Sequence, residues 1–181
     1  MIVGKRIILR AWERSDIETF QRWFNDVEIT IYAGDAYPAL SSGQEERYYQ
    51  NHADDKHTYC IVTRDQGVLI GNCALFNIVS RNRSAEVGIT IGEKAYWNQG
   101  YGRETLGMLL EIAFEGLGLN RVSLRVVDFN ERARRCYLTA GFVEEGHLRQ
   151  DTFIKGKFHD VIIMAILADE YSAHKRARPN Q

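Results

Sequence analysis

From residue 6 the chain reads RIILRAW, an apolar stretch that predicts a strand over 6–12. Ile17, Phe20, Trp23 and Phe24 then fall on one helical face, which predicts a helix over 15–26 opened by Ser15. A loop holding Pro38 follows, and Ser41 or Ser42 caps a second helix to about residue 51. HTYCIVTRD and GVLIGNCALFNIV predict two strands joined near Gln66 and Gly67, and SAEVGITIG, 84–92, predicts a third. Leu106, Leu109, Leu110, Ala113, Phe114 and Leu117 return at helical spacing, so a helix runs from the 96–102 region until Gly118 stops it. RVSLRVV, 121–127, is a buried strand, and Asn130 caps a helix that ends at Gly141. Two last strands, 142–154 and 157–167, meet at a turn of Lys155 and Gly156.

The order is β-α-α-β-β-β-α-β-α-β-β, which predicts an α/β (α+β) layered fold with helices on both faces of one sheet. A chain of 181 residues, 45% hydrophobic, has enough apolar material for one core. A single domain is expected over 1–171, followed by a flexible basic tail over 172–181.

A formal net charge of -1 gives no global basic field, which argues against a nucleic-acid partner; the basic cluster Lys175, Arg176 and Arg178 sits in the expected tail. The start, MIVGKRIILRAW, lacks the apolar core of a signal peptide, and VIIMAILA is too short to span a bilayer, so a cytoplasmic protein is expected. Cys60, Cys73 and Cys136 are widely spaced and read as reduced, buried thiols. The five histidines show no metal-ligand spacing, and no metal is expected.

Two stretches carry chemistry. In YWNQGYGRETLGMLLEIAF, 96–114, Gly100 and Gly102 let backbone approach a ligand closely, and the first amides of the helix point outward unsatisfied. A pyrophosphate suits that arrangement; equally, the glycines serve simply to turn a strand into a helix. Thr105 stands where a dinucleotide-binding turn needs its third glycine, and the Gly-Lys-Ser/Thr of a P-loop is missing. In NERARRCYLTAGF, 130–142, Asn130, Ala133, Arg134, Tyr137 and Gly141 line one side of a helix. Taken alone, such a tyrosine is an ordinary amphipathic core residue.

Together, W-x-x-G-Y-G followed by a strand and N-x-x-A-x-x-x-Y-x-x-x-G-F resembles the Gcn5-related N-acetyltransferase (GNAT) superfamily, over about residues 4–171. Within it the chain is similar to the RimJ/RimL branch, through Arg6, Ile7, Ile8, Leu9 and Arg10, A-E-V-G at 85–88, Y-W-N-Q-G-Y-G at 96–102, F-V-E-E-G at 142–146 and G-K-F-H-D at 156–160. Trp97 departs from the wider pattern, which has Gln or Arg there, so no side-chain contact carries over to that position. The resemblance implies a mixed, mostly antiparallel seven-stranded sheet and acetyl-CoA as co-substrate. It places acetyl-CoA against Ile89, Thr90 and Ile91, the turn of Trp97, Asn98, Gln99, Gly100, Tyr101, Gly102 and Arg103, and the helix residues Asn130, Arg134 and Tyr137. A homodimer is an expectation from relatives.

The implied reaction is direct attack of a primary amine on acetyl-CoA in a ternary complex. Tyr137 matches the family's proton donor to the leaving thiolate. Glu86, on the strand face of Ser84, Gly88 and Thr90, is the candidate base, or else is paired with Arg81 or Arg83; Asp128 is the reserve. Cys136, beside Tyr137 and with no evident His partner, reads as packing rather than nucleophile. Residues 25–60 hold Asp26, Glu28, Asp35, Glu45, Glu46, Asp54 and Asp55 against Arg47 and Lys56, a lid suited to a cationic acceptor or simply a solvated face. The expected acceptor is a protein or peptide N-terminal α-amine of the ribosomal-protein type. A polyamine is the alternative, since the C-terminal half is also similar to spermidine N-acetyltransferases. A catalytically silent acyl-CoA sensor is the reading from another class.

Overall fold

The computed structural model describes residues 1–34, 41–52 and 55–177. The loop of Pro38, with Asp35, and the acidic Asp54 lie outside the described residues. Eight strands form one sheet: β1 (Ile2–Val3), β2 (Ile7–Arg10), β3 (Thr58–Thr63), β4 (Leu69–Val79), β5 (Ser84–Ile91), β6 (Arg121–Val127), β7 (Val143–Ile154) and β8 (Lys157–Leu167). Their order is β1-β2-β3-β4-β5-β6-β8-β7, antiparallel throughout except between β5 and β6. The helices are α1 (Ile17–Phe24), α2 (Val27–Thr30), α3 (Ser42–His52), α4 (Tyr101–Glu111), α5 (Glu131–Thr139) and α6 (Ala168–Ala177).

The eighth strand is β1, two residues too short to leave a period in the sequence, paired with β2 through Ile2 and Leu9. Side chains on alternate sides of the sheet build two cores. On one face Ile7, Leu9, Ile61, Ala85, Val87 and Val122 pack against Leu106 and Leu109 of α4, with Ala133, Cys136 and Tyr137 of α5 joining them. On the other, Cys60 and Val62 pack against Phe20 and Trp23 of α1 and Ile29 of α2. Burial pushes the Cys60 and Cys73 thiols well up, which keeps them protonated and inert, as the sequence implied.

Three boundaries differ from expectation. Ser15 does not open α1: a 3₁₀ turn, Arg14–Asp16, precedes it, closed by a capping box between Glu13 and Asp16. The helix stops at Phe24 because Asp26 turns its carboxylate to the Glu28 amide, 2.9 Å away, and caps α2 instead. The expected flexible tail is helical through Ala177, because Glu170 accepts from the Leu167 amide at 2.9 Å and Tyr171 stacks on Phe114 with ring centroids 4.9 Å apart. Residues 178–181 lie outside the described residues.

Asp16 ties α1 to the sheet. It is buried, accepts both Arg10 Nη1 and Arg10 Nη2 at 2.7 Å, and also takes the Glu13 amide at 2.8 Å. Burial works against the charge, but the Arg10 hydrogen bonds and the Glu13 amide outweigh it and hold the carboxyl below its ordinary value. A carboxyl depressed in the folded state stabilises the fold above its unfolded value and loses that contribution as pH falls through the folded one. Asp16→Asn should therefore cost about 3 kcal/mol at pH 7, by leaving Arg10 without its partner, and flatten the loss of stability in acid. Urea unfolding at pH 7 and pH 3 measures both.

Candidate active site

β5 and β6 pair in parallel only at Ser84 with Arg121, Ala85 with Val122 and Glu86 with Ser123. Beyond Glu86 they part. β5 stays on β4 as far as Ile91, opposite Gly71, and β6 stays on β8 as far as Val127, opposite Val161. The facing edges of Ile89, Thr90 and Ile91 on one side and of Val126 and Val127 on the other thus have no strand between them. β5 turns from alternating burial to half-buried throughout over its last four residues. Unpaired strand edges need hydrogen-bonding partners, and an extended chain carrying amides supplies them.

At the open end stands the glycine turn. Asn98 and Gly100 take positive φ of 59° and 84°, and Gly100 is the N-cap of α4, so the amides of Tyr101, Gly102 and Arg103 begin a helix with no carbonyl behind them. Gly100 needs its glycine for its left-handed backbone conformation, and a Cβ there would also crowd Arg6 Nη2 at 3.3 Å. Gly102 has no such need: it is helical, and a Cβ there would meet nothing closer than Ile91 Cγ1 at 3.9 Å. Neither packing nor conformation therefore requires glycine at 102, and the space a Cβ would fill lies open at the helix start.

The turn is held by a residue that motif reading did not mark for this role. Arg6 donates from its backbone N to Glu104 Oε1 at 2.7 Å, from Nε to Glu104 Oε2 at 2.9 Å and from Nη1 to the Gln99 carbonyl at 2.9 Å, with its guanidinium 4.5 Å from the Tyr101 ring centroid. No local signal joins residues so far apart in sequence. Gln99 also spans the turn, donating from Nε2 to the Ala95 carbonyl. Trp97 donates its indole N–H to the Ile91 carbonyl at 2.6 Å, so its side chain closes the end of β5.

Asn130 is buried and its Oδ1 caps α5 at the Ala133 amide, 3.2 Å away. Tyr137 lies two turns further along α5 on the α4 side of the sheet, its ring 5.9 Å from that of Phe142, and its hydroxyl takes no hydrogen-bond partner among the described residues. Burial pushes the phenol up to about 12, so it is a neutral donor at neutral pH. Neighbouring Cys136 is likewise pushed up by burial, against the charge of Arg103. Arg134 turns away from the gap and bonds Glu144 of β7.

Glu86 stands on the opposite face from Tyr137, at the last paired rung of β5 and β6. It pairs with neither expected arginine: Oε1 accepts from Asn77 Nδ2 at 2.9 Å, while Arg83 donates to the Gly118 carbonyl at 2.7 Å. Asp128 follows directly after β6, with Oδ1 on His159 Nδ1 at 3.0 Å and Oδ2 accepting the Asp160 amide at 3.2 Å.

On the α1–α3 face a row of rings crosses the open end: Trp97 to Tyr32 at 6.2 Å, Tyr32 to Phe129 at 6.0 Å and Phe129 to His159 at 4.8 Å. Arg132 stacks over Trp97 at 4.1 Å and over Tyr32 at 5.3 Å. A cavity of about 340 Å³ adjoins the row, lined by Ile31, Phe129, Ile154, Lys155, Lys157 and His159. Of these residues the sequence marked Lys155 as part of a turn, and Lys157 and His159 only within the G-K-F-H-D stretch of the resemblance, with no role for either. The described acids of the lid are largely committed: Asp26 and Glu28 share Lys94, and Glu46 meets Arg14 at 3.1 Å. Among the described residues no group of His, Cys, Asp and Glu is arranged to hold a metal, and no helix is long and apolar enough to cross a membrane.

The site is thus a slot between parted parallel strands that ends at the first amides of a helix. The family model of the acetyltransferase (GNAT) domain matches residues 6–143, and the chain belongs to that family. It is 34% identical to a spermidine N(1)-acetyltransferase of Vibrio cholerae over 93% of this chain and 97% of the relative. It is also 34% identical to a putative ribosomal N-acetyltransferase, YdaF, of Bacillus subtilis over 60% of this chain and 59% of the relative. The crystal structure of the V. cholerae spermidine N-acetyltransferase in complex with CoA and spermine superposes with a TM-score of 0.83, covering 92% of this chain and 98% of that one. The protein is an acetyl-CoA-dependent N-acyltransferase.

Gly102→Ala separates the two readings of the turn. The alanine should raise helix stability by up to about 1 kcal/mol, yet weaken acetyl-CoA binding about tenfold by occupying the space beside the first amides. Thermal unfolding and calorimetric titration with acetyl-CoA read these opposite effects.

Proposed function

We propose that the chain acetylates a polyamine-type primary amine, and that Tyr137 protonates the departing thiolate of CoA. The observation that carries the acceptor is the end-to-end match to a spermidine N(1)-acetyltransferase. It favours the polyamine over the peptide N-terminus expected from the RimJ/RimL resemblance.

In this reading the strand edges of Ile89, Thr90 and Ile91 bind the pantetheine arm, with the Asn130 amide beside it, and the amides of Tyr101, Gly102 and Arg103 take the pyrophosphate. The amine attacks the thioester carbonyl, the C–N bond forms, and collapse of the oxyanion breaks the C–S bond. Tyr137 supports the last step by position and by protonation, since a buried phenol stays neutral where a thiolate leaves.

A panel of spermidine, peptides beginning with Ser or Ala, and an amino sugar, followed by acetyl-CoA-dependent thiol release, tests the acceptor. Release with spermidine is expected. Release with the peptides alone would restore the N-terminal reading, which the partial match to a putative ribosomal N-acetyltransferase keeps in view. No release, with acetyl-CoA still bound, would leave a sensor.

Tyr137→Phe should lower kcat about 100-fold with acetyl-CoA affinity nearly unchanged. Because burial raises the Tyr137 phenol, its ionisation should produce no falling limb of kcat between pH 7 and pH 10. Steady-state kinetics across that range, with a parallel titration of acetyl-CoA, check both.

A further inference from the structure

An amine acetyltransferase must dispose of the proton that its nucleophile loses, and a polyamine nitrogen, protonated at neutral pH, makes that demand heavy. The strand pattern makes Glu86 the candidate for that proton, with Asp128 in reserve. The Glu86 carboxylate sits at the closed vertex of the gap, with one oxygen engaged by Asn77.

The open end holds a better-arranged acceptor. His159 faces the α1–α3 side, opposite the face where Tyr137 packs, and its ring lines the cavity beside the aromatic row. Its Nδ1 is fixed on Asp128 at 3.0 Å, and Asp128 is itself fixed by the Asp160 amide at 3.2 Å. A carboxylate on Nδ1 selects the tautomer with the proton there and leaves the Nε2 lone pair free. Nε2 takes no partner among the described residues. Phe129, packed edge-on at 4.8 Å, limits rotation of the ring and leads directly into Asn130, the cap of the helix that carries Tyr137.

We propose that His159 is the group that takes the proton from the attacking amine, with Asp128 as its positioning residue. The inference rests on amine acetylation at this site and not on which amine is the acceptor. The ammonium first loses one proton to solvent, and as the neutral nitrogen bonds to the thioester carbonyl its second N–H proton passes to His159 Nε2. The oxyanion then collapses, the C–S bond breaks, and Tyr137 gives its proton to the thiolate sulfur. Solvent afterwards removes the proton from His159 and returns one to Tyr137, so no other reactant is needed.

The charged and titratable groups around the ring are Asp128 from the β6–α5 loop, Lys155 and Lys157 from the hairpin, Asp160 behind Asp128, and the Tyr32 phenol and Arg132 beyond Phe129. Asp160 also accepts the Gln150 amide at 2.9 Å, and Asp151 on β7 is turned to Arg125. Asp128 is thus the carboxylate in direct contact with the imidazole.

The test is the pH dependence of kcat for wild type, His159→Gln, Asp128→Asn and Glu86→Gln, using whichever amine of the panel wild type acetylates. His159→Gln should lower kcat about 100-fold, abolish the rising limb and leave acetyl-CoA binding unchanged. Asp128→Asn should lower kcat at least tenfold with acetyl-CoA binding unchanged, because the ring loses the group that fixes its tautomer. In His159→Ala, added imidazole should restore kcat at least tenfold, a rescue that a purely structural role would not show. A rising limb retained in His159→Gln but lost in Glu86→Gln would overturn the proposal. A readout independent of any acceptor is the ¹⁵N NMR tautomer of His159: the Nδ1–H form supports the assignment and the Nε2–H form overturns it. Wild type inactive on spermidine but active on a peptide defeats the polyamine reading alone, since the same variants are then compared on that peptide.

Discussion

One parallel pairing, three rungs long, governs this molecule. β5 and β6 come together at Ser84, Ala85 and Glu86 and then separate, although each keeps its antiparallel neighbour on the other side. Backbone amides and carbonyls along the parted edges are therefore held in strand geometry by partners that cannot satisfy them. A site built this way is rigid before its ligand arrives, because the outer strands fix the edges, and it suits a long chain with alternating donors and acceptors.

Everything else at the site is arranged around the two ends of that gap. At the open end α4 and α5 begin, and Arg132 of α5 stacks over Trp97 of the glycine turn, which brings the two helix starts together. Arg6 on the β1–β2 side locks the turn to α4 through Glu104 and the Gln99 carbonyl, and Trp97 locks it to β5 through the Ile91 carbonyl. The same tryptophan belongs to the core under α1 and α2, so the α1–α3 layer and the turn are mechanically joined. Gly92 completes that joint: a Cβ there would fall 2.1 Å from the Trp23 ring, so only glycine lets α1 lie against the end of β5.

Charge is likewise settled by packing rather than by composition. The acids of residues 25–60 outnumber the bases within that window, yet Asp26 and Glu28 are met by Lys94 from the β5–α4 connection and Glu46 by Arg14 from the turn before α1. A window count leaves out cations brought in from other segments. The polar pair beneath α1, Arg10 with Asp16, persists because each partner satisfies the other's hydrogen bonds where water is largely excluded.

By itself the sequence determined what local physics controls. Period-two and helical patterns fixed every strand longer than β1 and the main helices; Asn130 announced its cap, and the spacing of Gly100, Gly102, Asn130 and Tyr137 was specific enough to identify the family. Helix ends were less legible. Asp16 and Asp26 each offered a cap that competed with the one the pattern suggested, and the α6 helix depends on Tyr171 meeting Phe114 far back in the chain. The composition of the site was decided only in three dimensions. Arg6 with Glu104, Arg132 over Trp97, and His159 on Asp128 join residues from separate elements, and no periodicity records such a meeting. Hydrogen bonds and ring contacts act over a few ångströms, and it is the sheet order, not the order of the chain, that brings these groups within that range.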